Sequence, residues 1–586
     1  MRTPTALTLL CALASALAAC GVYDGGKTPA SGGSGGVETT SARAPGPAPV
    51  MGGGLLALAD GRFVAVADAD RSVIWVVDLA LGTLRGRVEL PAGSWPNRMA
   101  EDGKGNLRVV LRRTGQLATV SVTSMALKGL EAVCAEPRGV AWSAHLSATL
   151  VACASGELVT LPLAGGSSTT RVIERDLRDV VVLGERVLVT TFREGKVLDV
   201  TGPTQLLARV PGLGTDFSGG VAWRAVAANG QLVIAHQRAR NGEIVPTQPT
   251  PSQQDAGLVT PTPAGAYGNS GGSPGGFAGC TVQPVVRSAV SVFNVGGQLV
   301  STTDVGGALP VDVSVDRPTA TGAPAFKVAV AGTGGVEGPF TCPRPATGEP
   351  IVAVATTPDG TTLQLVRSPL TLIAGTARIA LDTTLVDDPG HALFHTVAPT
   401  GVACASCHPE AGEDAHVWTV KGKAHRTQAL TGGLLDTAPF HWEGKMKDLS
   451  AVMDETFVLR MGATLPGSPL VDALGAWLQQ QPAPKAPPAP ASLLTRGQAL
   501  FQQSGCDGCH SGARYTNGQT MNVGTGDRFQ VPSLTGVGAR TPLMHDGCAA
   551  TVRARFVGTC GGSSHGDTST LNGGDLDALS AFVESL

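Results

Sequence analysis

Two short words in the last third of the chain carry residue types, at a spacing, that can hold a metal cofactor covalently. Residues 401–408 read Gly-Val-Ala-Cys-Ala-Ser-Cys-His, and residues 505–510 read Gly-Cys-Asp-Gly-Cys-His. Each contains C-x-x-C-H, the attachment signature of c-type haem. Two thiols three residues apart on one turn can each add to a vinyl group of the same porphyrin. The adjacent histidine then places an imidazole nitrogen beneath the iron. A thioredoxin-like C-x-x-C has no need of the trailing histidine, and a zinc site needs a second ligand pair that neither copy has nearby. The word occurs twice, roughly a hundred residues apart, in a chain of only 12 Cys. Cys404, Cys407 and His408 are therefore expected to hold one haem, and Cys506, Cys509 and His510 a second.

The elements that must position these words follow one plan twice. Nine of the 11 His lie after residue 390, which locates the chemistry there. A proline-rich stretch, Gln-Pro-Ala-Pro-Lys-Ala-Pro-Pro-Ala-Pro-Ala-Ser at 481–492, reads as a semi-rigid linker. On either side comes a Gly-x-x-Leu-Phe helix start (Gly390 and Gly497), the haem word, an apolar stretch with a turn, and a closing helix at 470–478 or 576–586. Helix, haem, loop, helix predicts two small, mostly α cytochrome c-type domains at 386–481 and 493–586, joined by 482–492.

The first 390 residues carry no such chemistry. Short alternating strands punctuated by Gly, Asp-Gly and Asn-Gly predict all-β structure over 51–385. One apolar strand recurs at Phe63, Leu107, Thr149, Val187, Leu232, Phe326 and Leu363, with neighbours roughly 36 to 45 residues apart and one gap of about 94. That spacing is the length of a four-stranded propeller blade. The long gap contains a Pro/Gly/Ser/Thr-rich tract at 241–284, read as an insertion in the fifth of seven blades. In pattern this part resembles seven-bladed propellers of the YVTN/NHL-like class. His145 and His236 read as loop or strand residues, and Asp68 and Asp70 beside Arg71 as a hairpin turn. A docking or scaffold module is expected.

Composition and the N-terminus bound the setting. A net charge of −3 with no basic run gives no reason to expect a nucleic-acid partner. Residues 1–20 carry Arg2, an apolar run and small residues before a cysteine, which is a secretory signal. Leu17-Ala18-Ala19-Cys20 resembles the bacterial lipobox, which implies a lipid-modified Cys20; the alternative is an ordinary cleaved signal. Gly21 in place of Asp implies an outer-membrane lipoprotein, facing the periplasm or the cell surface. Residues 21–50 read as a flexible tether of about 30 Å root-mean-square span. Beyond Cys11, Cys20 and the haem thiols, six Cys remain: Cys134, Cys153, Cys280, Cys342, Cys548 and Cys560. In an exported chain an even remainder predicts three disulfides, neighbour pairing being the simplest of the fifteen connectivities.

The C-terminal part also resembles the bacterial di-haem cytochrome c peroxidase family. The matching stretches are Gly390-His-Ala-Leu-Phe-His, Cys404-Ala-Ser-Cys-His-Pro-Glu, Pro439-Phe-His-Trp-Glu-Gly, and the run from Val531 to Gly547 ending in Leu-Met-His-Asp-Gly. The resemblance implies a distal histidine some sixteen residues after the first haem histidine. His425 matches best, with His441 as the rival and an exposed loop histidine as the plain reading of His425. For the second haem the family offers a methionine about a dozen residues past H-D-G. No Met follows Met544, so His565 takes a comparable place, with Met544 and Met521 as alternatives.

Peroxide reduction needs a vacant iron site and a nearby acid–base group. Here Arg460 stands where the family has a Glu, and Val452 or a neighbour stands in place of a Gln. An Arg polarises but does not act as a base. Glu443 and Glu455 can substitute only with a different loop fold. Three expectations follow. The first is a lipid-anchored di-haem electron carrier that exchanges electrons with a redox protein and docks through its propeller. The second is a peroxidase-like oxidoreductase. The third is a sensing propeller, marked by a ligand-lined central channel, with accessory haem domains.

Overall fold

Alternating Val, Ala, Ile and Leu between Gly-rich turns build flat, two-sided apolar strands, and such strands need cover on both faces. The computed structural model describes residues 46–244, 284–316, 325–337, 349–486, 488–558 and 560–586. Cys20, the tether as far as residue 45, Cys280 and Cys342 lie outside them. Among the described residues, seven antiparallel sheets follow one another from Leu55 to Asp382, six of four strands and one of three. Strands within each sheet lie in chain order. The first strand of each sheet lies against the first strand of the next, and Leu55–Ala57 lies against Ile351–Thr356, so the seventh sheet meets the first. This is a closed, β-propeller-like ring.

Every recurrence of the apolar strand falls on the second strand of its sheet: Phe63–Asp68, Asn106–Leu111, Ala148–Cys153, Arg186–Thr191, Gln231–Arg240, Phe326–Val330 and Thr362–Val366. These strands are the most repetitive in sequence because neighbouring sheets pack on both of their faces. The outermost strands, such as Thr83–Glu89 and Thr169–Val172, are largely exposed and vary freely. The long gap falls in the fifth sheet, between the paired strands Gln231–Arg240 and Val286–Asn294. Its first residues, Glu243–Ile244, leave that sheet and pair in parallel with Val417–Val420 of the C-terminal part. Asp68 accepts from the backbone N–H of Asp70 and Arg71 in the expected hairpin turn. His236 is a buried strand residue bonded to Ser291, whereas His145 is half-exposed. Disulfides join Cys134 to Cys153 and Cys548 to Cys560.

The C-terminal part is mixed rather than mostly helical. Helices Pro389–His395 and Ser468–Gln479 cross in its first half, and Ala491–Gln503 and Gly573–Glu584 cross in its second. Between them lie two small hairpins, Val417–Val420 with Lys423–Arg426 and Thr520–Asn522 with Arg528–Gln530. The first is closed by Lys421 and Gly422, both at positive φ, the tight turn that matches strand twist. That turn chemistry is local and overrides the helical plan.

Each helix pair crosses at the glycine of its Gly-x-x-Leu-Phe word. A Cβ on Gly390 would lie 2.2 Å from the Ala473 carbonyl oxygen, and one on Gly497 would lie 2.1 Å from that of Ala578. Gly390→Ala and Gly497→Ala are each expected to lose about 1–3 kcal/mol through overpacking. The urea midpoint checks this; an unchanged midpoint would mean that the helices can separate freely. No described helix is long and apolar enough to cross a membrane.

Candidate functional site

Both words sit at the end of a short helical turn facing inward. Cys404–Cys407 forms one turn ending at His408, and Cys506–Gly508 forms a 3₁₀ turn leading to Cys509 and His510. All six residues line one continuous cavity of about 820 Å³, within the range of cofactor-sized pockets. Apolar walls come from Phe394, Trp418, Phe457, Leu474, Phe501 and Phe529. The four thiols are not joined in disulfides. Burial pushes the Cys404 thiol up to about 12 and the His408 imidazole down to about 4. Each histidine directs Nδ1 at a backbone carbonyl, His408 at Gly412 (3.3 Å) and His510 at Tyr515 (3.1 Å). A proton held on Nδ1 leaves the Nε2 lone pair for a metal.

The rings of His510 and His565 are 6.3 Å apart, centre to centre, with their planes 29° from parallel. Arg555 Nε donates to His565 Nδ1 at 2.9 Å. His425 lies on the strand Lys423–Arg426, not in a loop, and its Nε2 is 3.1 Å from Glu443 Oε1. His441 lines the same cavity as His408; burial first, then repulsion from Arg460, pushes it down to about 4.

The two halves share a local frame around His441. Phe440 bridges to Met446 as Leu543 bridges to Ala549, and His441 and Met544 both stand at positive φ in these turns. Met521 and Met544 also line the cavity, as do Glu443, Glu455 and Arg460. Arg460 is ion-paired with Glu455 at 2.8 Å, and His441 Nε2 is 3.5 Å from Thr456 Oγ1. Glu455, Thr456 and Arg460 sit on a π-helical segment, Met453–Arg460, a geometry frequent at functional sites.

The ring of sheets meets the first haem word through buried charge, and this was not legible from spacing. Glu410, two residues after His408, takes Arg112 at 2.7 Å and Arg178 at 2.6 Å. Glu413 pairs with Arg193 and, at 2.8 Å, with Arg426. Burial alone would raise the Glu410 carboxyl, but Arg112 and Arg178 outweigh it and hold it well below the usual carboxylate range. A signal was present in the acidic run Glu410-Ala-Gly-Glu-Asp after the haem word; three of its four partner arginines, Arg112, Arg178 and Arg193, lie more than two hundred positions earlier.

At the axis of the ring, Arg98 pairs with Asp179 and donates to Gly52 and Trp223 carbonyls, while Arg178 reaches the Met51 and Trp223 carbonyls. The second half is tied in separately, by Arg175 to Glu584 at 2.5 Å.

No protein-family model matches the chain, and no curated protein matches it. Among solved structures it is similar to Kuenenia stuttgartiensis hydrazine synthase, at 13% identity and TM-score 0.39, covering 58% of this chain and 100% of that one. A structure of the same enzyme pressurized with 20 bar xenon matches at 21% identity and TM-score 0.30, over 32% of this chain and 83% of that one. Staphylococcus aureus virginiamycin B lyase matches at 8% identity and TM-score 0.34, over 56% and 93%. No functional conclusion attaches to likenesses this loose. The propeller-like ring rests on the strand order and closure described above.

The residues present fit covalent haem. The cavity is large, apolar and shared by both words, the thiols are unpaired, and both adjacent histidines are oriented through Nδ1. When bound, such a group supplies an iron that cycles between two oxidation states. Cys404, Cys407, Cys506 and Cys509 would fix such a group, His408 and His510 would ligate it, and the aromatic walls would keep water from it.

Proposed function

We propose that this chain is a lipid-anchored di-haem c-type cytochrome that transfers electrons in the periplasm or at the cell surface, exchanging them with a redox protein. Its seven-bladed propeller serves as the scaffold for the first of two cytochrome c-type domains. The observation that carries this reading is the one cavity containing both C-x-x-C-H words, with the His565 ring 6.3 Å from that of His510. A carrier needs both irons six-coordinate so that little reorganises as charge moves.

His510 and His565, their rings 6.3 Å apart, would hold the iron of the second haem between them. With Nδ1 accepting from Arg555, the proton of neutral His565 sits on Nε2, so ligation requires that proton to leave or Arg555 to turn away. At the first haem the distal candidates are His425, whose Nε2 faces Glu443 at 3.1 Å, and its rival His441, both of which line the cavity. Residues 1–20 act as the export signal and Cys20 as the lipid site. The buried pairs at Glu410 and Glu413 give the propeller its role in this reading, orienting the loop that carries His408.

A second reading, a peroxidase-like oxidoreductase, draws on Glu455 and Glu443. Both carboxylates line the cavity near His441, so an acid–base group is within reach of the first haem despite Arg460. Reductive titration of the mature protein separates the two. The carrier gives low-spin bands at every stage and no new species with peroxide. A high-spin signal at half-reduction, with peroxide turnover, would replace the carrier by the enzyme.

A further inference from the structure

We propose that Arg426 and Arg540 form a carboxylate-binding site at the seam between the two C-terminal halves, and that its ligands are the propionate carboxylates of the haems. The proposal rests on the haem reading above. Arg426 ends the strand Lys423–Arg426 of the first half, and Arg540 follows the 3₁₀ turn Val537–Ala539 of the second. Both line the cavity that contains the two attachment words. Arg426 is only 6% exposed. It pairs with Glu413 and donates to the Arg540 carbonyl at 2.5 Å, yet its Nε is buried with no partner.

Arg540 donates to the Ser533 carbonyl, and its Nε is likewise buried and unpartnered. No carboxylate of the described residues forms an ion pair with it. Glu413 is already ion-paired with two guanidiniums, Arg193 and Arg426, and acts on Arg540 without an ion pair to it. Burial, then repulsion from Arg426, pushes Arg540 down to about 10, so it stays charged at neutral pH.

A guanidinium out of water without an anion is unfavourable, and its planar fork matches a carboxylate in two parallel hydrogen bonds. The anion that completes this site must reach both arginines from within a mostly apolar cavity. A haem has that form: an apolar ring carrying two carboxylates on one edge. The site then places the propionate edges of both haems at one seam, with Arg426 from one half and Arg540 from the other.

The test is the midpoint potential of each haem, measured from pH 5 to pH 9 in the full-length holoprotein and in Arg540→Leu, with Arg540→Gln where Leu does not fold. Loss of the cation favours the oxidised iron. The expected result is a tenfold shift in the reduction equilibrium of at least one haem, about 59 mV downward for one electron. A pH-dependent limb should also appear between about pH 5 and 8 as the released propionate takes up a proton. Arg540→Lys should recover most of the potential, which a purely structural role would not require. Potentials and pH dependence left where they were, in a folded variant with its Soret band intact, overturn the proposal. Wild-type potentials that move with added acetate, an effect lost in Arg540→Leu, overturn it in favour of a free small anion. A wild-type protein with no Soret band removes the haem reading itself.

Discussion

Replacing Glu410 with glutamine is expected to cost about 3–5 kcal/mol, because it leaves Arg112 and Arg178 buried without their anion. Arg178 has 1% of its side chain exposed and Glu410 8%, so solvent screens the pair little. The loss should appear as a lower unfolding midpoint, and as earlier proteolysis between the ring of sheets and the first haem segment. Removing Arg178 as well, in a Glu410→Gln, Arg178→Met variant, should return part of the stability. Additive losses would show that the pair is not coupled.

The pH dependence has a definite sign. The folded Glu410 carboxyl sits below its unfolded value of about 4.3, so the folded state binds fewer protons there. The stabilisation is complete above that value and is lost as pH falls toward the folded one. Acid should therefore loosen this seam in the native chain, and Glu410→Gln should show a flatter stability profile below about pH 4.

The second large effect concerns His565. If it ligates the second iron, His565→Ala should turn one of two low-spin haems high-spin and leave the other unchanged. His565→Met should keep the low-spin band and raise that haem's potential by well over the 59 mV of a tenfold shift, because a methionine ligand favours the reduced iron. The ring spacing of 6.3 Å between His510 and His565 motivates this expectation. Two unchanged low-spin haems in the alanine variant would transfer the role to Met544 or Met521, which line the same cavity.

Much of the architecture was legible in order along the chain. The recurring apolar strand marked the second strand of all seven sheets, since a strand packed on both faces can vary little. The two Gly-x-x-Leu-Phe words marked the helix crossings, since only glycine permits an approach of 2.2 Å to a carbonyl oxygen from a Cβ position. The mostly helical expectation for the last two hundred residues was too simple. The Lys421-Gly422 turn and its flanking Val and Thr residues build a hairpin in place of an open loop.

By itself, the sequence determined where covalent chemistry can occur, because thiol spacing within one turn is a local property carried by five consecutive residues. It also determined the repeat, because period and burial are written along each strand. Only the tertiary structure decided which residues meet across distance. It paired Glu410 with Arg112 and Arg178, drew His425 to Glu443, set His565 beside His510, and left the Arg540 Nε buried without a partner. Coulomb and coordination partners are chosen by proximity in space, and nothing in residue type or spacing encodes a partner hundreds of positions away.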